Sequence, residues 1–70
     1  MVRVLIERRV SEGLIGDFLL ALIELRQMAV RKEGYVSGET LRDVRDHHRF
    51  VVISTWNSRP DWEAWIGCSS

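Results

Sequence analysis

Four consecutive apolar residues, Phe50-Val51-Val52-Ile53, constrain this chain more than any other feature. A strand with apolar side chains on both faces belongs inside a sheet. It runs from His48 to Trp56, where Asn57, Ser58 and Pro60 break the pattern. Ser58 is placed to cap a helix, with Asp61 three positions on. Pro60 fits the first turn, where its missing N–H costs nothing. Trp62, Trp65 and Ile66 then share one helical face, which is either core or the wall of a pocket. All three tryptophans of the chain lie between Trp56 and Trp65.

Two more strands and a long helix complete the pattern. Val2 to Val10 alternates, with Val2, Val4, Ile6 and Val10 on one face and Arg3, Glu7 and Arg9 on the other. Arg8 falls on the apolar side, as a strand-end arginine reaching solvent or an anion-holding group at a pocket rim. Leu14 to about Lys32 is helical, with an apolar arc of roughly 220° interrupted by Arg26. Leu19, Ile23 and Val30 lie beyond the stripe a sheet-covering helix needs, and Leu20 lies among polar residues. That excess predicts a second buried contact, with a partner chain or a ligand. Gly34 suits a helix C′ stop. Tyr35 to Val44 is a second strand, with Tyr35, Ser37, Glu39 and Leu41 on one face.

The order is β-α-β-β-α. A strand, a crossover helix and a parallel strand form a right-handed unit. The most apolar strand, the third, belongs between the other two. The result is most of a ferredoxin-like split βαβ fold, of class α+β, with both helices on one face of an antiparallel sheet. A fourth strand beside the first is what this order lacks. The expectation is a single domain, either truncated at its C-terminus or with that edge covered by another copy.

Seventy residues bury little apolar surface relative to the entropy lost on folding. The single Cys68 excludes an internal disulfide and reads as a free thiol. A homodimer or higher homo-oligomer is therefore expected. Ten basic and ten acidic residues, well mixed, give no basic face for nucleic acid. No apolar run is long enough for a membrane helix, and the N-terminus lacks the charge order of a signal peptide. The expected location is the cytoplasm.

Three segments, VRVLIERRV, GETLRDVRDHHRFVVISTW and NSRPDWEAW, resemble the antibiotic biosynthesis monooxygenase (ABM) family. The resemblance covers the chain up to about Ile66. It implies a dimeric α/β barrel with a ligand pocket between sheet and helices in each subunit. It also implies oxidation of electron-rich aromatic or quinol-like substrates by dioxygen, without a metal or other cofactor. Trp65 matches a pocket tryptophan of the family, and Asp61 a polar partner one turn earlier. The haem-degrading branch fits badly: Arg8 stands where it has asparagine, and no histidine follows Trp65.

The expected catalytic groups are Trp65, Asp61 and His48, with His47 and Arg49 as nearby candidates for proton transfer and anion holding. The expected pocket is lined by Phe18, Leu22, Phe50, Val52, Trp62 and Trp65. No metal site is expected, because neighbours in an extended segment, such as His47 and His48, point to opposite faces. The competing reading is a dimeric ligand-binding or structural module of the same fold without catalysis.

Overall fold

The computed structural model describes residues 1–68, the side chain of Cys68 excepted, so the reading of that residue as a free thiol lies outside the described residues. Its elements are β1 (Val2–Arg9), a 3₁₀ turn (Glu12–Leu14), α1 (Ile15–Ala29), β2 (Tyr35–Arg42), β3 (Arg49–Trp56) and α2 (Arg59–Cys68). The sheet order is β1-β3-β2, and both outer strands run antiparallel to β3. The apolar third strand is thus the central one, as its composition requires, and the fold is ferredoxin-like.

The register assigns the two faces. Phe50, Val52, Ser54 and Trp56 of β3 stand beside Arg8, Ile6, Val4 and Val2 of β1. Phe18 on α1 meets Phe50 with ring centroids 5.1 Å apart, and Trp65 on α2 meets Trp56 at 6.0 Å. This face therefore lies under both helices. The other face carries Leu5, Leu41, Val51, Ile53 and Thr55, with no helix above it among the described residues. There Arg3 of β1 bonds Glu39 of β2 at 3.3 Å, reaching across the central strand. Ile53 and Thr55 of the central strand are nonetheless buried on this face. Leu5 and Leu41 remain exposed.

The ends of the elements depart from the sequence pattern for local reasons. The α1 helix stops at Ala29, not Lys32, because the backbone tightens to i→i+3 bonds, Arg31 N–H to Met28 O and Lys32 N–H to Ala29 O. The second strand ends at Arg42 because Asp43 turns the chain: its Oδ1 accepts the Arg45 N–H at 2.8 Å. Ser58 caps α2 as expected, accepting the Asp61 N–H at 3.3 Å and donating its hydroxyl to Asp61 Oδ2 at 2.9 Å.

A register shift between Tyr35 and Ser37 changes which face Tyr35 occupies. Strict alternation groups it with Glu39 and Leu41. The bulge instead pairs it with Trp56, on the helix face with Gly38 and Thr40. Tyr35 and Trp56 then meet edge to face, 5.3 Å apart.

Gly34 ends the turn into β2 at φ 88°, and a Cβ there would overlap the Asp61 carboxylate. Gly34→Ala is expected to destabilise by about 2 kcal/mol or more in urea unfolding. Gly16, with open space around it in α1, should gain roughly 0.5 kcal/mol as alanine. Equal effects at the two sites would refute this account of the turn.

Asp43 is held below its ordinary value of 3.8, first by the Arg45 N–H and then by Arg49. A carboxylate with a depressed folded pKa stabilises fully above its unfolded value, and that contribution fades as pH falls through the folded one. Urea midpoints should therefore drop on acidification below about pH 4, and by less in Asp43→Asn.

Candidate functional site

Between α1, the sheet and Trp65 of α2 lies a cavity of about 280 Å³. The apolar positions of α1 that face the sheet supply Phe18, Leu22, Leu25 and Ala29 to its roof. Ile6, Val52 and Trp56 form the floor, and Trp65 closes one side. Its polar lining comes from four side chains: Arg8, Arg26, Tyr35 and Ser54. Ser54 is already engaged, accepting the Trp56 Nε1–H at 3.2 Å.

Arg26 is the polar group that α1 contributes to the lining. It interrupts the apolar arc of α1 and points at the sheet. Its Nη2 donates to Thr40 Oγ1 at 2.9 Å in a part-buried setting. Gly38 leaves room for it: a Cβ there would sit 3.3 Å from Arg26 Nε and against the Tyr35 hydroxyl. Arg26 makes no ion pair among the described residues. Arg8, the charge on the apolar alternation of β1, also lines the cavity, with its Nη1 bonded to the Glu7 carbonyl at 2.8 Å. No carboxylate or imidazole is among the lining side chains.

The expected site residues divide. Phe18, Leu22, Val52 and Trp65 line the cavity. Phe50 does not: it is fully buried behind Phe18, with the Arg42 guanidinium 5.2 Å from its ring centre. Trp62, half-buried on α2, is also absent from the lining. Asp61 is turned to Ser58 and to the backbone at Gly34. Its carboxylate completes the cap of α2 and does not face the cavity. His48 precedes β3, whereas Trp65 packs on Trp56 at the far end of that strand. Eight residue steps along a strand separate His48 from Trp56, roughly 26 Å. Trp65, Asp61 and His48 therefore do not converge on one reacting atom. Arg49 is also elsewhere, bonded to Glu7 at 2.6 Å and Asp43 at 3.3 Å.

The two histidines correct the sequence reading. The segment before β3 is a turn, closed by the Arg49 N–H on Asp46 O, and not extended strand. The rings of His47 and His48 consequently lie on the same side, 4.2 Å apart and tilted by 35°. Both reach Glu12 Oε2, His47 Nε2 at 2.7 Å and His48 Nε2 at 3.3 Å. The His47 hydrogen bond is the main cause that lowers the Glu12 pKa, with the charges of His47, His48 and Arg42 adding to it.

A three-stranded sheet roofed by two helices over an apolar cavity defines a ferredoxin-like α+β domain. The antibiotic biosynthesis monooxygenase family model matches residues 1–67, and the chain belongs to that family. Among solved structures, a Nitrosomonas europaea protein provisionally assigned as an antibiotic biosynthesis monooxygenase superposes with a TM-score of 0.85 at 20% identity. A conserved protein of Methanosarcina mazei Go1 superposes with a TM-score of 0.87 at 14% identity. Each alignment covers 93% of this chain but 62% and 64% of those chains, so this chain spans less than two thirds of their length. At these identities the likeness is one of fold. No curated protein matches the chain. Among the described residues, no helix is long and apolar enough to cross a membrane.

A part-buried guanidinium with no carboxylate partner carries a desolvation cost. Arg26→Met, of similar length, should therefore leave the urea-derived stability unchanged or raise it by up to about 1 kcal/mol. A loss above about 1 kcal/mol would make Arg26 a structural residue instead of a site residue.

Proposed function

We propose that the cavity binds a small electron-rich aromatic or quinol-like molecule as its phenolate or enolate. There it undergoes cofactor-independent monooxygenation of the ABM type. The observation that carries this reading is an apolar chamber whose charged lining groups are two arginines, Arg8 and Arg26. Apolar walls with few placed polar groups suit a flat ring system, and the volume, near the low end for ligand pockets, suits a small one.

The chemistry follows from that lining. A guanidinium in a part-buried setting lowers the pKa of a bound phenol or enol by favouring its anion. The anion is the electron donor to dioxygen. One oxygen atom enters the substrate carbon as a carbonyl. The other leaves as water with two hydrogens, one from that carbon and one from the substrate hydroxyl, so no external reductant is required. Arg26 and the Tyr35 hydroxyl hold charge that moves onto oxygen during the step. Trp65 walls off solvent. Asp61 positions Trp65 through the cap of α2.

The open sheet face supports assembly as a homodimer. Exposed Leu5 and Leu41 flank Val51 and Ile53 there, and the ion pairs of Arg3 and Arg49 rim the patch. Two such faces stacked would bury the apolar stripe at about 10 Å spacing.

The lack of a carboxylate or imidazole in the lining favours a second reading, a ligand-binding module without turnover. Oxygen-electrode measurements with phenols and quinols distinguish the two, with tryptophan emission reporting binding. The oxygenase should consume oxygen and lose about tenfold or more of that rate in both Arg26→Met and Trp65→Ala. Quenching without oxygen uptake would establish the binding module. Neither signal with any phenol or quinol would overturn the assignment of the cavity.

A further inference from the structure

We propose that Glu12, His47 and His48 form a site for one divalent transition-metal ion of the zinc class, separate from the cavity. Glu12 lies in the 3₁₀ turn after β1, and the histidines lie in the turn before β3. Pairing of β1 with β3 brings these turns together. The three ligand atoms, Glu12 Oε2 and the two Nε2 atoms, lie within 4.8 Å of one another. Metal–ligand bonds of about 2.0–2.2 Å separate ligand atoms by about 3–3.5 Å, so small side-chain movements suffice to close the site.

The hydrogen bond made by Nδ1 of His48 orients its other ring nitrogen toward the site. This Nδ1 lies 2.9 Å from the Val10 carbonyl oxygen. A carbonyl only accepts, so Nδ1 holds the proton. In the neutral ring, Nε2 is then a bare lone pair, and it faces a carboxylate oxygen 3.3 Å away. Two acceptors facing each other need a proton or a cation between them. A histidine fixed through Nδ1–H to a backbone carbonyl, with Nε2 free, is the arrangement that orients metal-bound imidazoles.

The rest of the environment fits. The Val10 N–H bonds the His48 carbonyl at 2.8 Å, and the His48 N–H bonds Asp46 Oδ1 at 3.1 Å, so the ring that reaches Val10 grows from anchored backbone. His48 is the least exposed of the three ligands, while Glu12 and His47 are open to solvent and free to adjust. Arg42, the nearest competing cation, donates its Nε to the His47 carbonyl at 2.8 Å and lies over Phe50. Two imidazoles and one carboxylate select zinc, cobalt, nickel or copper over magnesium and calcium, which prefer all-oxygen sets. Three protein ligands leave a coordination position for water.

The test uses the untagged full chain. Zinc titration by calorimetry should give one ion per chain, and cobalt should show visible absorption bands of low-coordinate geometry. Nitrogen-15 NMR of the metal-free chain should find His48 protonated at Nδ1, and zinc should shift its Nε2 signal. Glu12→Gln and His47→Gln, both exposed and outside the core, should keep the native circular dichroism and weaken zinc binding about tenfold or more. Unchanged affinity in both variants would overturn the proposal. So would an Nε2-protonated His48, one ion shared by two chains, or equally tight magnesium binding.

Discussion

Trp56 joins three elements of this molecule, β2, β3 and α2. It is completely buried, and it meets Tyr35 of β2 and Trp65 of α2 while its indole N–H is satisfied by Ser54. Few other residues share its work. Ala29, Phe50 and Ile53 are the other buried hydrophobic residues described. Removing a large buried aromatic typically costs about 3–5 kcal/mol, and a domain this small holds little in reserve. The junction of β2, β3 and α2, and with it one wall of the cavity, rests on this ring.

Apolar side chains without cover are the counterpart of so small a core. Leu19, Leu20 and Ile23 on α1 and Val30 just after it are exposed, as are Leu5 and Leu41 on the open face. The width of the α1 arc was legible as an excess over what one sheet can bury. The two surfaces lie on opposite sides of the sheet, so a single flat partner cannot cover both.

The element order, the central position of β3 and the capped start of α2 were readable because each rests on local pattern: period, breaker residues and a cap. Four cavity-lining residues were readable for the same reason, since inward positions on a helix and a strand follow from spacing. What was not readable depends on bends. The bulge at Val36 moves Tyr35 to the other face, and no alternation count signals it. The turn before β3 gathers His47 and His48, whereas extended geometry separates them. Asp61 shares a helix with Trp65, yet its cap hydrogen bonds turn it away. Arg26 gave the one usable hint, a charge in the middle of an apolar arc.

The two outer strands of the sheet are unequal. Along β1 all eight residues keep an unbroken register with β3. Along β2 the bulge interrupts the ladder near its start, which twists a rim away from easy pairing. Growth of this sheet therefore has a preferred direction. A further strand, from whatever source, finds a straight template alongside Val2–Arg9, while the opposite rim discourages addition. Arg3 and Arg9 on that template are already paired with Glu39 and Asp46, so recruitment at this rim would rest on backbone hydrogen bonding.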